Sequence, residues 1–113
     1  MELKQGDLEN IILNALWLME EEGVPKIDVK GVQDKIKSDR QSWAYTTVKT
    51  VLDRLVDKEL VFRIKDGKKY LYKTVMSRKR AGEDAVKKLV KQYYRGNFKD
   101  MIAAAEQLSI TCK

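Results

Sequence analysis

Within one short stretch the chain sets Tyr45, Thr46, Thr47, Lys49, Thr50 and Arg54, a collection of hydroxyls, methyl groups and two cations. Such a set suits recognition better than catalysis. Threonine hydroxyls can donate or accept at bases and phosphates, their methyl groups can touch thymine methyls, and lysine and arginine reach phosphates or guanine. The Tyr45 hydroxyl is expected to be a further phosphate contact. A second cationic set follows in "VFRIKDGKKYLYKT", where Arg63, Lys65, Lys68 and Lys69 alternate with apolar residues or cluster about a glycine. The residue types that catalysis needs are missing. There is no histidine, a single cysteine at 112, no glycine-rich phosphate loop and no group of acids with ligand spacing. Glu20-Glu21-Glu22 is a charge run at a helix end, the pattern of a solvated face. The expectation is therefore a binding protein and not an enzyme, with no metal and no cofactor.

The two sets need elements to hold them side by side. "SWAYTTVKTVLDRLVDKELV" has Val48, Val51, Leu52 and Leu55 at helical spacing, with Val56 beside them, and Ser42 predicted as its N-cap. That spacing turns Tyr45, Thr46, Lys49, Thr50, Asp53 and Arg54 outward, with Thr47 at the edge. The alternation around Asp66-Gly67 predicts a β-hairpin with a two-residue turn and a loop from Lys65 to Lys69. Upstream, Leu8, Ile11, Ile12, Ala15, Leu16 and Met19 predict a first helix from Gly6 to Glu22, stopped by Gly23 and Pro25. A shorter helix from Val29 to Lys37 turns Val32 and Ile36 inward, and "SDRQS" reads as the turn into the third helix. Helices joined by a short turn, then a hairpin with a cationic tip, are the order of a winged helix-turn-helix. The fold class is mainly α with a small β-hairpin wing. Tyr70 and Tyr72 are expected to anchor the wing to the core instead of stacking on bases.

At 113 residues the chain fits one domain or one small domain with an appended element. Residues 1–25 hold one lysine against six acids, whereas residues 44–80 hold eleven lysines and arginines against four acids. Charge of that distribution points to a polyanionic partner. No apolar run is long enough to span a bilayer, and no leader pattern opens the chain, so a cytoplasmic location is expected. Cys112 reads as a spectator thiol near the end.

From Ser77 the chain turns helical again. Ala81, Ala85, Val86, Leu89, Val90, Tyr93 and Tyr94 form an apolar stripe ending at "RGN", where Gly96 suits a left-handed position and Asn97 can cap the next helix. Phe98, Met101, Ile102, Ala105 and Leu108 continue the pattern. The expected division is a winged domain over 1–75 and a helical dimerisation region over 76–113. Val86, Leu89, Val90, Tyr93, Tyr94, Phe98, Met101 and Ile102 are the predicted dimer contacts, since two copies sharing these helices would cover the patch. A two-fold pair of recognition helices implies a palindromic DNA site. The residues alone leave open that the C-terminal helices fold back on their own domain, and that the basic face docks an acidic protein instead of DNA.

The stretch Trp43 to Tyr72 resembles the core of the penicillinase-repressor family, the BlaI/MecI/CopY group of bacterial winged-helix repressors. The Ala44-Tyr45-Thr46-Thr47-Val48 run, the Leu52-x-x-Leu55-Val56 register and the Gly67-Lys68-Lys69-Tyr70-x-Tyr72 wing carry the resemblance. It extends more loosely back to Leu8 and forward through "LVKQYYRGNFKDMI". The resemblance implies an N-terminal DNA-binding domain, a C-terminal dimerisation region and repression from a palindromic operator. It implies DNA contacts from Tyr45, Thr46, Thr47, Lys49, Thr50 and Arg54, with wing contacts from Lys68 and Lys69. In antibiotic-responsive members of the family an Asn-Phe bond is cleaved on induction. The corresponding place here is Ala104-Ala105, and Asn97-Phe98 lies earlier, at a predicted helix start. Copper-responsive members carry a cysteine-rich tail, against the lone Cys112 here. The resemblance thus supports neither induction route.

Overall fold

The computed structural model describes residues 5–111; Cys112 lies outside the described residues. The first apolar stripe forms α1 (Gln5–Glu21), which buries Ile12, Ala15, Leu16 and Met19 along one side. It stops as Gly23 and Pro25 dictate. Gly23 takes a left-handed φ of 80°, so its amide reaches the Glu20 carbonyl at 3.1 Å and the Val24 amide that of Met19 at 3.0 Å. This pair of bonds satisfies carbonyls that a helix end would otherwise leave exposed. The second helix, α2 (Val29–Ile36), begins where Asp28 accepts the Gly31 amide at 2.8 Å. Val29 and Val32 point into the core and Ile36 packs at its margin.

The third helix, α3 (Tyr45–Asp57), starts later than the sequence suggests. Ser42 does not cap it: Ala44 occupies the N-cap position, with no side-chain bond to the first-turn amides. The reason is Trp43, which is half-buried against the core and whose carbonyl accepts the Gln33 side chain at 2.9 Å. Holding Trp43 inward keeps residues 42–44 out of the helix. At the other end Glu59 adopts φ 62°, and bonds from the Glu59 amide to Val56 (3.0 Å) and the Leu60 amide to Leu55 (3.1 Å) close the helix. Val48, Val51, Leu52 and Leu55 are buried, as the period requires.

Two antiparallel strands follow, β1 (Val61–Asp66) and β2 (Lys69–Thr74). Asp66 pairs with Lys69, which leaves Gly67-Lys68 as the two-residue turn, one place later than Asp66-Gly67. Gly67 has φ 65° and Lys68 has no positive φ, the pattern of a type II′ turn with glycine first. The register faces Arg63 against Tyr72 and Lys65 against Tyr70. Since side chains alternate across a strand, these four share one side of the hairpin. The Tyr72 amide donates to the Ile27 carbonyl at 2.8 Å, seating the wing beside the segment that leads into α2. Tyr72 joins Ile12, Leu16, Val32, Leu52 and Val61 in the core, as expected of an anchor.

The chain divides into two compact units, with the boundary between Ser77 and Arg78. In the second, α4 (Arg78–Tyr93) and α5 (Phe98–Thr111) are joined by a turn in which Arg95 (φ 52°) and Gly96 (φ 79°) are both left-handed. Asn97 caps α5 as its sequence position suggests, its Oδ1 accepting the Lys99 amide at 2.9 Å. The Asn97-Phe98 pair therefore sits at the first turn of α5, and Ala104-Ala105 in its middle. No residue of α5 is buried, and Val90 alone is buried in α4. No helix among the described residues is long and apolar enough to cross a membrane.

Candidate nucleic-acid interface

Burying Val48, Val51, Leu52 and Leu55 forces the remaining positions of α3 outward. Tyr45, Thr46, Thr47 and Thr50 are exposed, while Lys49 and Arg54 are half-buried. The uncapped first turn presents its amides on the same end, where the helix dipole favours an anion. Thr50 donates its hydroxyl to the Thr46 carbonyl at 2.8 Å, so its outward-facing groups are an acceptor lone pair and a methyl. Thr46, Thr47, Thr50 and Arg54 line a shallow groove of about 350 Å³ that is bounded by Leu8 of α1. Arg54 is steered by Glu9, whose carboxylate lies 4.0 Å from its Nε and is also held by Lys58 at 2.8 Å.

A second groove, of about 190 Å³, lies between α3 and the wing. Tyr45 and Lys49 form one wall and Lys68, Lys69 and Tyr70 the other, with Asp28 at its side. The structure thus brings the first turns of α3 and the tip of the hairpin to one place. Lys68 and Lys65 are exposed and, among the described residues, make no ion pair. Lys69 reaches Asp28 Oδ2 at 3.0 Å. Arg63 lies 4.7 Å from the centre of the Tyr70 ring.

Asp53 organises the cations between the two grooves. Its Oδ2 receives Lys49 Nζ at 2.8 Å, and its Oδ1 receives both Arg63 Nη1 and the Tyr72 hydroxyl at 3.0 Å. Partial burial works against the ionised carboxylate, but the bonds from Lys49, Tyr72 and Arg63 outweigh it and hold the Asp53 carboxyl below its ordinary 3.8. The Gly31 amide and Lys69 lower Asp28 likewise. Burial, followed by the bond to Asp53, pushes the Tyr72 phenol up to about 12. Lys69 is raised by its bond to Asp28.

Read from the sequence alone, Asp53 has no role beyond an outward position, and Asp28 does not stand out. Part of the signal was available: Asp53 lies four residues after Lys49, the spacing of a helical ion pair, and Asp28 immediately precedes the apolar pattern of α2, as a cap does. Of the residues expected at a dimer contact, Val86, Leu89, Tyr93, Phe98 and Ile102 are exposed and Tyr94 and Met101 half-buried. Val90 differs from them. It is 1% exposed in the single chain, so it supplies no open surface.

Known proteins share this pattern of residues. Residues 5–110 match the family model described as Penicillinase repressor, which bears out the resemblance read from Trp43 to Tyr72. The transcriptional regulator BlaI of Mycobacterium tuberculosis, in strains CDC 1551 / Oshkosh and ATCC 25618 / H37Rv, is 40% identical over 73 residues. That stretch is 65% of this chain and 49% of the relative, so the chain spans about half the length of the curated relatives it matches.

Proposed function

The chain belongs to the penicillinase repressor family, and from that premise we propose that it is a DNA-binding transcriptional repressor acting in the cytoplasm as a homodimer on a palindromic operator. In this reading α3 enters the major groove with Thr46, Thr47 and Thr50 toward base edges. Tyr45 and Lys49 meet the backbone beside them, Arg54 approaches from the far end, and the wing clamps phosphates through Lys68, Lys65 and Lys69. The observation that carries it is the shared groove, in which Tyr45 and Lys49 of α3 face Lys68 and Lys69 of the wing. A helix of ~10–12 Å diameter fits the major groove, and a cationic tip alongside supplies the phosphate anchor.

Dimerisation is supported by apolar side chains that one chain leaves open. Leu89, Tyr93, Phe98 and Ile102 are 41%, 66%, 49% and 48% exposed. Covering them would contribute about 25 cal/mol per Å² removed from water. Selection of bound fragments from a pool of random duplexes tests the whole reading. Enrichment of an inverted repeat with half-sites about one helical turn apart is the expected result. A pool that stays random would overturn it, and so would a single enriched half-site, in respect of the dimer.

A further inference from the structure

The excess positive charge of this protein is not confined to its recognition elements. Up to Ser77 the chain has 14 Lys and Arg against 13 Asp and Glu, leaving the winged unit nearly neutral; from Arg78 on it has 9 against 4. The winged unit also neutralises several of its cations internally: Lys26, Lys35, Lys49, Lys58, Arg63 and Lys69 each sit on a carboxylate. In the helical unit three lysines differ. Lys87, Lys88 and Lys91 are exposed and, among the described residues, have no ion pair, although Asp84 is four residues before Lys88.

These lysines share a face. At 3.6 residues per turn, Arg80, Asp84, Lys87, Lys88 and Lys91 fall on one side of α4, while Ala85, Val86, Leu89 and Tyr93 fall on the other. From Lys87 to Lys91 this side runs for ~6 Å along the axis at 1.5 Å per residue, enough to meet two successive phosphates, which follow one another at about 3.4 Å along a duplex strand. A helix whose apolar side is covered by a second copy would still present this side outward.

We propose that the Lys87, Lys88 and Lys91 face of α4 is a second, sequence-independent contact for duplex DNA, gripping phosphates outside the stretch read by α3 and the wing. The proposal rests on the DNA reading above. Phosphates suit it because ammonium groups on flexible stems hold them as point charges without demanding a base sequence. A duplex already bound by the winged unit of the same chain is also present at a high effective concentration.

The test measures salt dependence on two duplexes carrying the selected site, one of about 20 bp that covers two half-sites and one twice as long. Wild type is compared with the variant carrying Lys87→Gln, Lys88→Gln and Lys91→Gln, and with a variant that has glutamates at the same three positions. Helical circular dichroism and melting temperature report on folding. On the long duplex, the glutamine variant is expected to flatten the plot of log affinity against log salt by up to about 5, at roughly 0.9 for each phosphate that the two protomers no longer hold. On the short duplex the two slopes should lie closer together, and the selected sequence should not change. Equal slopes for wild type and variant on the long duplex overturn the proposal while leaving the DNA reading intact. If wild type binds no duplex, both fall. Vesicles of phosphatidylcholine and phosphatidylserine form the last arm. Lysine-dependent binding to them, with unchanged DNA slopes, would assign this face to an anionic lipid surface and overturn the proposal.

Discussion

Asp53 shows how one carboxylate can govern a binding face without touching the ligand. It holds Lys49, Arg63 and Tyr72 in place, so two cations that the sequence assigns to DNA contact are restrained by an acid that competes with phosphate for them. Asp53→Asn should therefore lower stability at neutral pH by about 1–2 kcal/mol, allowing for partial exposure, and tighten binding to random duplex. Urea unfolding and a random-sequence binding assay check the two halves; weaker random binding would contradict the second. The pH dependence follows from the same bonds. The folded Asp53 and Asp28 carboxyls bind their protons less readily than at the ordinary 3.8. Their stabilisation is thus complete above that value and lost as pH falls through the lower folded values. Tyr72 acts in the opposite direction. With its folded value raised to about 12 from 10.0, the neutral phenol's contribution is complete below pH 10 and lost as pH climbs toward 12. Melting temperatures of wild type and Tyr72→Phe should converge over that alkaline window, and parallel curves would contradict the assignment. Glu59 is held at φ 62°, where a side chain is strained. Glu59→Gly should gain roughly 0.5–1 kcal/mol in urea unfolding.

At the scale of elements, the helices and the hairpin were legible because an apolar period directly reports the buried side. Val48, Val51, Leu52 and Leu55 define α3 in the sequence and in the core alike. The junctions were less legible. Ser42 has the chemistry of an N-cap, yet burial of Trp43 delays α3 to Tyr45, a choice made by packing between elements. The hairpin turn slips by one residue because Asp66 pairs with Lys69. Partners far apart in the chain, such as Asp53 with Arg63 and Tyr72, depend on how β1 and β2 lie against α3, which no local spacing encodes. The wing's contribution can be separated from that of α3. Lys68→Ala should reduce affinity for operator and random duplex alike and flatten the salt slope by about 1.8, roughly 0.9 for each protomer of the dimer, without changing stability. Lys69→Ala should cost stability as well, because it also breaks the bond to the Asp28 cap. Thr46→Ala should instead narrow the difference between selected and random sequences. An unchanged salt slope in the Lys68 variant would remove the wing from the account.

At the scale of the molecule, net positive charge extends from the stretch of α3 and the wing into the helical unit, and the apolar side of α4 and the length of α5 remain open in the single chain. Leu89→Glu with Tyr93→Glu should shift sedimentation at micromolar concentration toward one copy and weaken operator binding much more than random binding, while the winged unit keeps its fold. The claim on which the rest depends is that α3 and the wing together form the surface that meets duplex DNA. Backbone amide shifts, recorded by NMR as the selected duplex is added to the full chain, test it most directly. The largest changes are expected at Tyr45–Thr50 and around Gly67–Lys69. Binding that leaves both stretches unmoved would contradict it.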